Sequence, residues 1–156
     1  MVCLYVDDIF LTKSYEHEIA KFEKVLRNEF EITDLERMTY FLGMEFMYSE
    51  KGIILHQLKY ELELLKRFEL LNCKAVVTPS ETNQKLNYDP EGDDVYAITF
   101  KQLVGSLRYL CNTIPDIYSA VGMVSRFVSK PKWPHYQVSV KILRYIKGTL
   151  EYCRIH

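Results

Sequence analysis

The four cysteines of this 156-residue chain, Cys3, Cys73, Cys111 and Cys153, form no CxxC pair, and the four histidines do not cluster with them. That spacing gives a zinc site no support. Nothing places the chain outside the cell, so reduced thiols serving as small hydrophobic side chains are expected. Long apolar runs are absent as well. The longest, Met1 to Val6, falls far short of the roughly 20 residues that a membrane-spanning helix needs. It has no basic flank or cleavage site and leads straight into two aspartates, which speaks against membrane and secretory readings. There is no internal repeat and no low-complexity stretch.

What is present reads as an ordinary globular composition, 48% hydrophobic and 26% charged. Twelve Tyr and eight Phe supply an aromatic-rich interior for one domain or two very small ones. The net charge of -1 conceals an asymmetry: residues 1–97 hold 11 Lys and Arg against 19 Asp and Glu, whereas residues 98–156 hold 9 against 2. A basic half beside an acidic one fits a molecule in which one part meets a polyanion. Solvated helix faces that differ by chance fit it equally.

Local patterns suggest an α+β chain. Cys3 to Val6 and Ile9 to Thr12 are β-prone runs around Asp7-Asp8, which predicts a hairpin with the aspartates as its turn. Ser14 offers an N-cap to a helix whose apolar stripe is Ile19, Phe22, Leu26 and Phe30. Tyr40 to Tyr48 reads as one strand, Ser49 to Gly52 as a turn and Ile53 to Leu55 as the return. A helix from about Leu58 to Leu71 follows, then a long surface loop through Asp89 to Asp94 that reads as a linker. The basic half looks all-helical. Thr99 and Gln102 suggest a capping box, Pro115 a helix start, Pro131 and Pro134 a break, and Gly148 a helix stop.

One constellation suggests chemistry. Adjacent carboxylates such as Asp7 and Asp8 repel unless a positive group sits against them, and a hard divalent cation serves that role well. Aspartates in a solvated turn are the plainer alternative.

The whole chain resembles one family. Tyr5-Val6-Asp7-Asp8-Ile9 is similar to the YVDD motif of reverse transcriptases. Phe41-Leu42-Gly43-Met44-Glu45, Gly52-Ile53 and Gln57-Leu58-Lys59-Tyr60 follow the copia-type pattern FLG-x-E…GI…Q-x-KY. Thr78-Pro79, Leu103 to Leu110, Pro115-Asp116-Ile117, Ala120-Val121, Ser125-Arg126-Phe127, Pro134-His135 and Ile142 to Thr149 continue it in order. The chain therefore resembles the RNA-dependent DNA polymerase region of a copia-like retrotransposon polyprotein, from Leu4 to about Thr149.

The resemblance implies a partial polymerase palm over residues 1–56, with the YVDD hairpin and a primer-grip-like hairpin. A helix and acidic loop would follow over 57–97, then a basic, thumb-like helical bundle over 98–150. Asp7 and Asp8 would be catalytic and would bind Mg2+ or Mn2+. Tyr5, Val6, Gly43 and Met44 would lie near the primer, and Lys141, Arg144 and Lys147 would meet phosphates of an RNA template–DNA primer duplex. Ile114 stands where the family usually carries Arg. The family's other metal-binding aspartate lies upstream of YVDD and its RNase H domain lies downstream. The chain is therefore expected to be inactive alone, to need an upstream palm and fingers segment, and to be prone to self-association. A non-catalytic duplex-binding module and a structural remnant packed on another chain are the alternatives. No membrane partner is expected, and the location would be cytoplasmic, or a virus-like particle or the nucleus for an intact element.

Overall fold

A computed structural model describes residues 2–11, 16–34, 37–80, 86 and 92–153. The chain divides into two compact units, Met1–Met38 and Thr39–His156, where the sequence suggested boundaries near 56 and 97. In the first unit, β1 (Val2–Tyr5) pairs antiparallel with β2 (Asp8–Leu11), and α1 (Glu16–Glu29) follows. The register sets Leu4 against Ile9 and Tyr5 against Asp8. The turn is therefore Val6-Asp7, one residue earlier than expected, and Asp8 belongs to the strand. Turn propensity favoured the two aspartates, but Val6 takes up the left-handed turn position instead, at a φ of 51°. Of the stripe expected on helix α1, Ile19 and Leu26 are half-buried, whereas Phe22 is exposed and Phe30 is exposed just beyond the helix end. The Ser14 cap lies outside the described residues.

The second unit begins with a three-stranded meander of β3 (Tyr40–Phe41), β4 (Met44–Ser49) and β5 (Gly52–His56). The single strand expected over 40–48 is split by a turn at Leu42-Gly43, where both residues have positive φ, 50° and 79°. Such a turn matches the right-handed twist of its flanking strands. The second turn closes as expected, with Ser49 opposite Gly52 and the Ser49 hydroxyl donating to the Gly52 carbonyl at 3.0 Å.

Helix α2 (Leu58–Arg67) ends four residues before the expected Leu71. Glu69 adopts a left-handed φ of 58°, its N–H reaches the Lys66 carbonyl at 3.1 Å, and the Leu70 N–H reaches the Leu65 carbonyl at 2.8 Å. That is a Schellman ending, usually built on glycine. Replacing Glu69→Gly removes the left-handed penalty and should stabilise the chain by about 1 kcal/mol in denaturant unfolding.

Leu64 and Leu65 of α2 share one core with α3 (Ala97–Leu110), α4 (Tyr118–Ser125) and α5 (Trp133–Cys153). Helix α3 buries Phe100, Leu103, Val104, Leu107 and Leu110, a spacing of three and four residues that forms one face. It begins two residues before Thr99, and no side chain caps it, so the expected capping box does not form. Pro115 opens a short 3₁₀ turn (Pro115–Ile117) that leads into α4.

Two further expectations fail for identifiable reasons. Pro134 sits in the first turn of α5, where a missing N–H does no harm, so it helps to start the helix rather than break it. Gly148 lies inside α5 and does not end it. A Cβ there would stand 3.4 Å from the Ala75 Cβ, in ordinary contact with the segment around residues 73–76 that lies against the helix. The end of the acidic run is likewise no free linker: Asp94 bridges to Lys132, and the Val95 N–H donates to the Pro131 carbonyl at 3.2 Å. Among the described residues, no helix is long and apolar enough to cross a membrane.

Candidate functional site

The β1–β2 hairpin carries Tyr5, Val6, Asp7 and Asp8 at its tip, and all four are exposed. Val6 is 85% exposed and holds a φ of 51°, which a β-branched residue rarely adopts. Strain of this kind, of order 1–3 kcal/mol, collects at functional sites. Among the described residues, no cation pairs with Asp7 or Asp8. Nor does any group of three or more His, Cys, Asp or Glu side chains gather among them to hold a metal. The hairpin thus offers two hard carboxylate ligands side by side, a donor set suited to magnesium in kind but short of a full site.

The second unit joins residues that the sequence motifs had left far apart. Gly43 and Met44 form the β3–β4 corner, with Met44 paired to Phe41. The Tyr109 hydroxyl of α3 donates to the Leu42 carbonyl at 2.5 Å, and its ring meets Tyr60 of α2 edge-on at 4.9 Å. A Cβ on Gly43 would come within 1.9 Å of the Tyr109 oxygen. Gly43 is therefore required by backbone conformation and by close approach together.

Below this corner lies a polar cluster that sequence reasoning missed as a site, although Glu45, Gln57 and Tyr60 stood in the motifs. Glu45 pairs with His56 at 2.9 Å across β4 and β5, and its other oxygen accepts the Lys59 N–H at 3.3 Å. Gln57 is fully buried; its carbonyl oxygen accepts the Thr113 hydroxyl at 2.8 Å, and its amide nitrogen has no partner among the described residues. Glu61, one turn further on, is 5% exposed. Burial, with the Glu45 carboxylate adding to it, pushes the Glu61 carboxyl up to about 7 from 4.5.

The sign follows from linkage. The folded state favours protonated Glu61, so its contribution is fully present below about 4.5 and is lost as pH rises through about 7. Thermal unfolding should show stability falling across that window by a few kcal/mol. The Glu61→Gln variant should flatten the fall.

The expected phosphate contacts on α5 are largely engaged within the fold. Arg144 Nε donates to the Lys74 carbonyl at 2.8 Å, and Lys147 Nζ to the Cys73 carbonyl at 2.6 Å. The Val76 N–H in turn reaches the Arg144 carbonyl at 3.3 Å. These cations hold the 73–76 segment along the helix, a role that spacing alone could not reveal. Lys141, also half-buried, has interactions of its own. Two other motif residues meet: the Tyr145 hydroxyl donates to the Asp116 carboxylate at 3.0 Å, and burial and that carboxylate push the phenol up. Ile114, in the family's arginine position, packs partly against the core. Cys73 and Cys111 are free thiols, and burial raises the Cys111 thiol further despite nearby Arg108.

Comparison with known proteins settles the class. Residues 1–82 match the family model described as reverse transcriptase (RNA-dependent DNA polymerase), and the chain belongs to that family. It is 36% identical over 146 residues to the retrovirus-related Pol polyprotein from transposon RE1 of Arabidopsis thaliana, covering 94% of this chain and 10% of that protein. The corresponding polyprotein from transposon TNT 1-94 of Nicotiana tabacum is 34% identical, over 98% of this chain and 12% of its own length. An uncharacterised mitochondrial protein of Arabidopsis thaliana is 35% identical over 94% of this chain and 61% of its own length. The chain thus spans about a tenth of the length of the polyproteins that it matches. No solved structure is significantly similar.

Proposed function

We propose that this chain supplies the catalytic aspartate hairpin and the thumb-like helices of a retrotransposon reverse transcriptase, working within a larger polyprotein. The observation that carries the reading is the exposed Asp7-Asp8 pair, without cation partners among the described residues, at the tip of a YVDD hairpin. Asp7 is the principal ligand for Mg2+ or Mn2+, and Asp8 supports it. The bound ion supplies charge stabilisation to a transferring phosphate. Tyr5 and Val6 border the primer terminus, and the β3–β5 sheet, with Gly43 and Met44 at its corner, acts as the primer grip. The overall reaction joins a primer 3′-hydroxyl to a nucleotide α-phosphate with loss of pyrophosphate.

Two carboxylates do not make a complete metal centre, so a further ligand comes from another polyprotein segment. In the first unit Leu4 stands 71% exposed and Val25 52%, which suits a surface completed by such a segment or, failing that, by self-association. Free thiols at Cys73 and Cys111 agree with a cytoplasmic setting. Primer extension on an RNA template by the polyprotein's polymerase region, with and without Asp7→Asn, tests the reading. Activity that survives the substitution would refute it.

The basic half supports a second reading, duplex binding without catalysis. Its test is a salt series, in which phosphate contacts must weaken steeply as salt rises.

A further inference from the structure

The chain's only tryptophan lies on its surface. Tryptophan is usually well buried, yet Trp133 is 49% exposed at the start of α5. Its backbone is held firmly. The Trp133 N–H donates to the Asp93 carbonyl at 2.9 Å, and Lys132 beside it pairs with Asp94 at 3.0 Å. Gly92, at a φ of 139°, brings its backbone close enough that a Cβ would stand 3.2 Å from the Pro134 ring and 3.8 Å from the Trp133 Cβ. One turn along the helix, the Tyr136 ring lies 5.5 Å from the indole with 27° between the planes. Two aromatic rings are thus kept near-parallel on a fixed backbone, while half of the indole surface still faces water.

The surrounding charge indicates what would complete the stack. Lys130 is exposed and makes no ion pair with any described residue. Lys130 is three residues from Trp133, so their Cα atoms are within about 11 Å by chain length alone. Lys132 and Asp94 pair with each other, which leaves Asp93 as the opposing carboxylate among the described residues. A planar base suits an exposed aromatic pair, because bases stack on aromatic side chains whatever their sequence, and the 98–156 half that carries the pair holds 9 Lys and Arg against 2 Asp and Glu.

We propose that the Trp133–Tyr136 pair is a stacking platform for an unpaired base of a single-stranded nucleic acid, with Lys130 meeting an adjoining phosphate. The inference rests on the polymerase reading for the presence of nucleic acid, but it uses neither the aspartate hairpin nor the sheet. Each phosphate contact beside the platform adds a log–log salt slope of about -0.7 to binding, on top of the salt-tolerant stacking.

Because Trp133 is the sole tryptophan, indole fluorescence of the full chain reports on the site directly. The chain should be titrated with a 12-nucleotide oligodeoxyadenylate, with an abasic strand of equal length, and with a blunt duplex. The oligodeoxyadenylate should quench the indole strongly, and the abasic strand and the duplex should not. With a fluorescein-labelled strand read by anisotropy, Trp133→Ala should weaken binding about tenfold or more, and Trp133→Phe should retain most of it. Circular dichroism checks that both variants fold. Equal quenching by the abasic strand, or no quenching by any strand, would overturn the platform. Quenching by the rest of the polymerase region and not by oligonucleotides would overturn it in favour of a protein-docking surface. None of these failures touches the polymerase reading, which loss of extension in Asp7→Asn decides separately.

Discussion

Gly43→Ala should lower the stability of the second unit by about 2–4 kcal/mol, because three effects fall on one residue. Alanine at a φ of 79° carries a backbone penalty of about 1 kcal/mol or more. Its Cβ would meet the Tyr109 oxygen at 1.9 Å, so the phenol must move away. That movement breaks the hydrogen bond to the Leu42 carbonyl and the edge-on contact with Tyr60, each worth about 1 kcal/mol. Amide exchange over residues 40–56 should quicken as the meander loses its hold on α3. Tyr109→Phe alone should cost about 1 kcal/mol, and the double variant should cost less than the sum, since the clash disappears with the hydroxyl. Additive losses would mean that the corner is not held by this contact.

In a polymerase region containing this sequence, Asp7→Asn should reduce primer extension by about three orders of magnitude, the scale on which enzymes lose activity with a principal charge-stabilising group. Asn keeps the shape of Asp7 but loses the negative charge that a magnesium ion requires. Asp8→Asn should cost less, in keeping with the supporting role proposed for Asp8. Neither change should disturb folding, since both carboxylates are exposed and unpaired among the described residues. Equal losses in the two variants would contradict the division of roles, and a melting temperature lowered in either would show a structural role instead.

The elements were legible where a periodic apolar pattern met its physical partner. The stripe of Leu103, Val104, Leu107 and Leu110 and the pairing of β4 with β5 needed only spacing and a polar turn, whereas burial of Phe100 was not foreseen. Features that depend on distant chain were not legible. Gly148 resembles a helix stop until the segment at Ala75 is seen against it. That Arg144 and Lys147 hydrogen-bond the carbonyls of Lys74 and Cys73 could not be read from their spacing on the helix. The Thr99 capping box failed because α3 starts two residues earlier, from Tyr96, with no side-chain cap.

The candidate site was legible in its residue types and less so in its geometry. Asp7 and Asp8 were found from the motif, but Asp8 proved to be a strand residue and Val6 a strained turn residue. Asp is common in turns, and only cross-strand pairing tells which of two neighbours occupies one. Glu61 carried no sequence signal, because its raised carboxyl depends on burial in a core made by four helices.

The most direct test of the central claim is primer extension on an RNA template with magnesium by the 156-residue polypeptide, alone and then with the remaining polymerase region added as a separate polypeptide. The expected result is no extension alone and extension on mixing, abolished when the short chain carries Asp7→Asn. Extension by the short chain alone would show that it holds a complete metal centre, and no extension on mixing would show that its hairpin does not complete one.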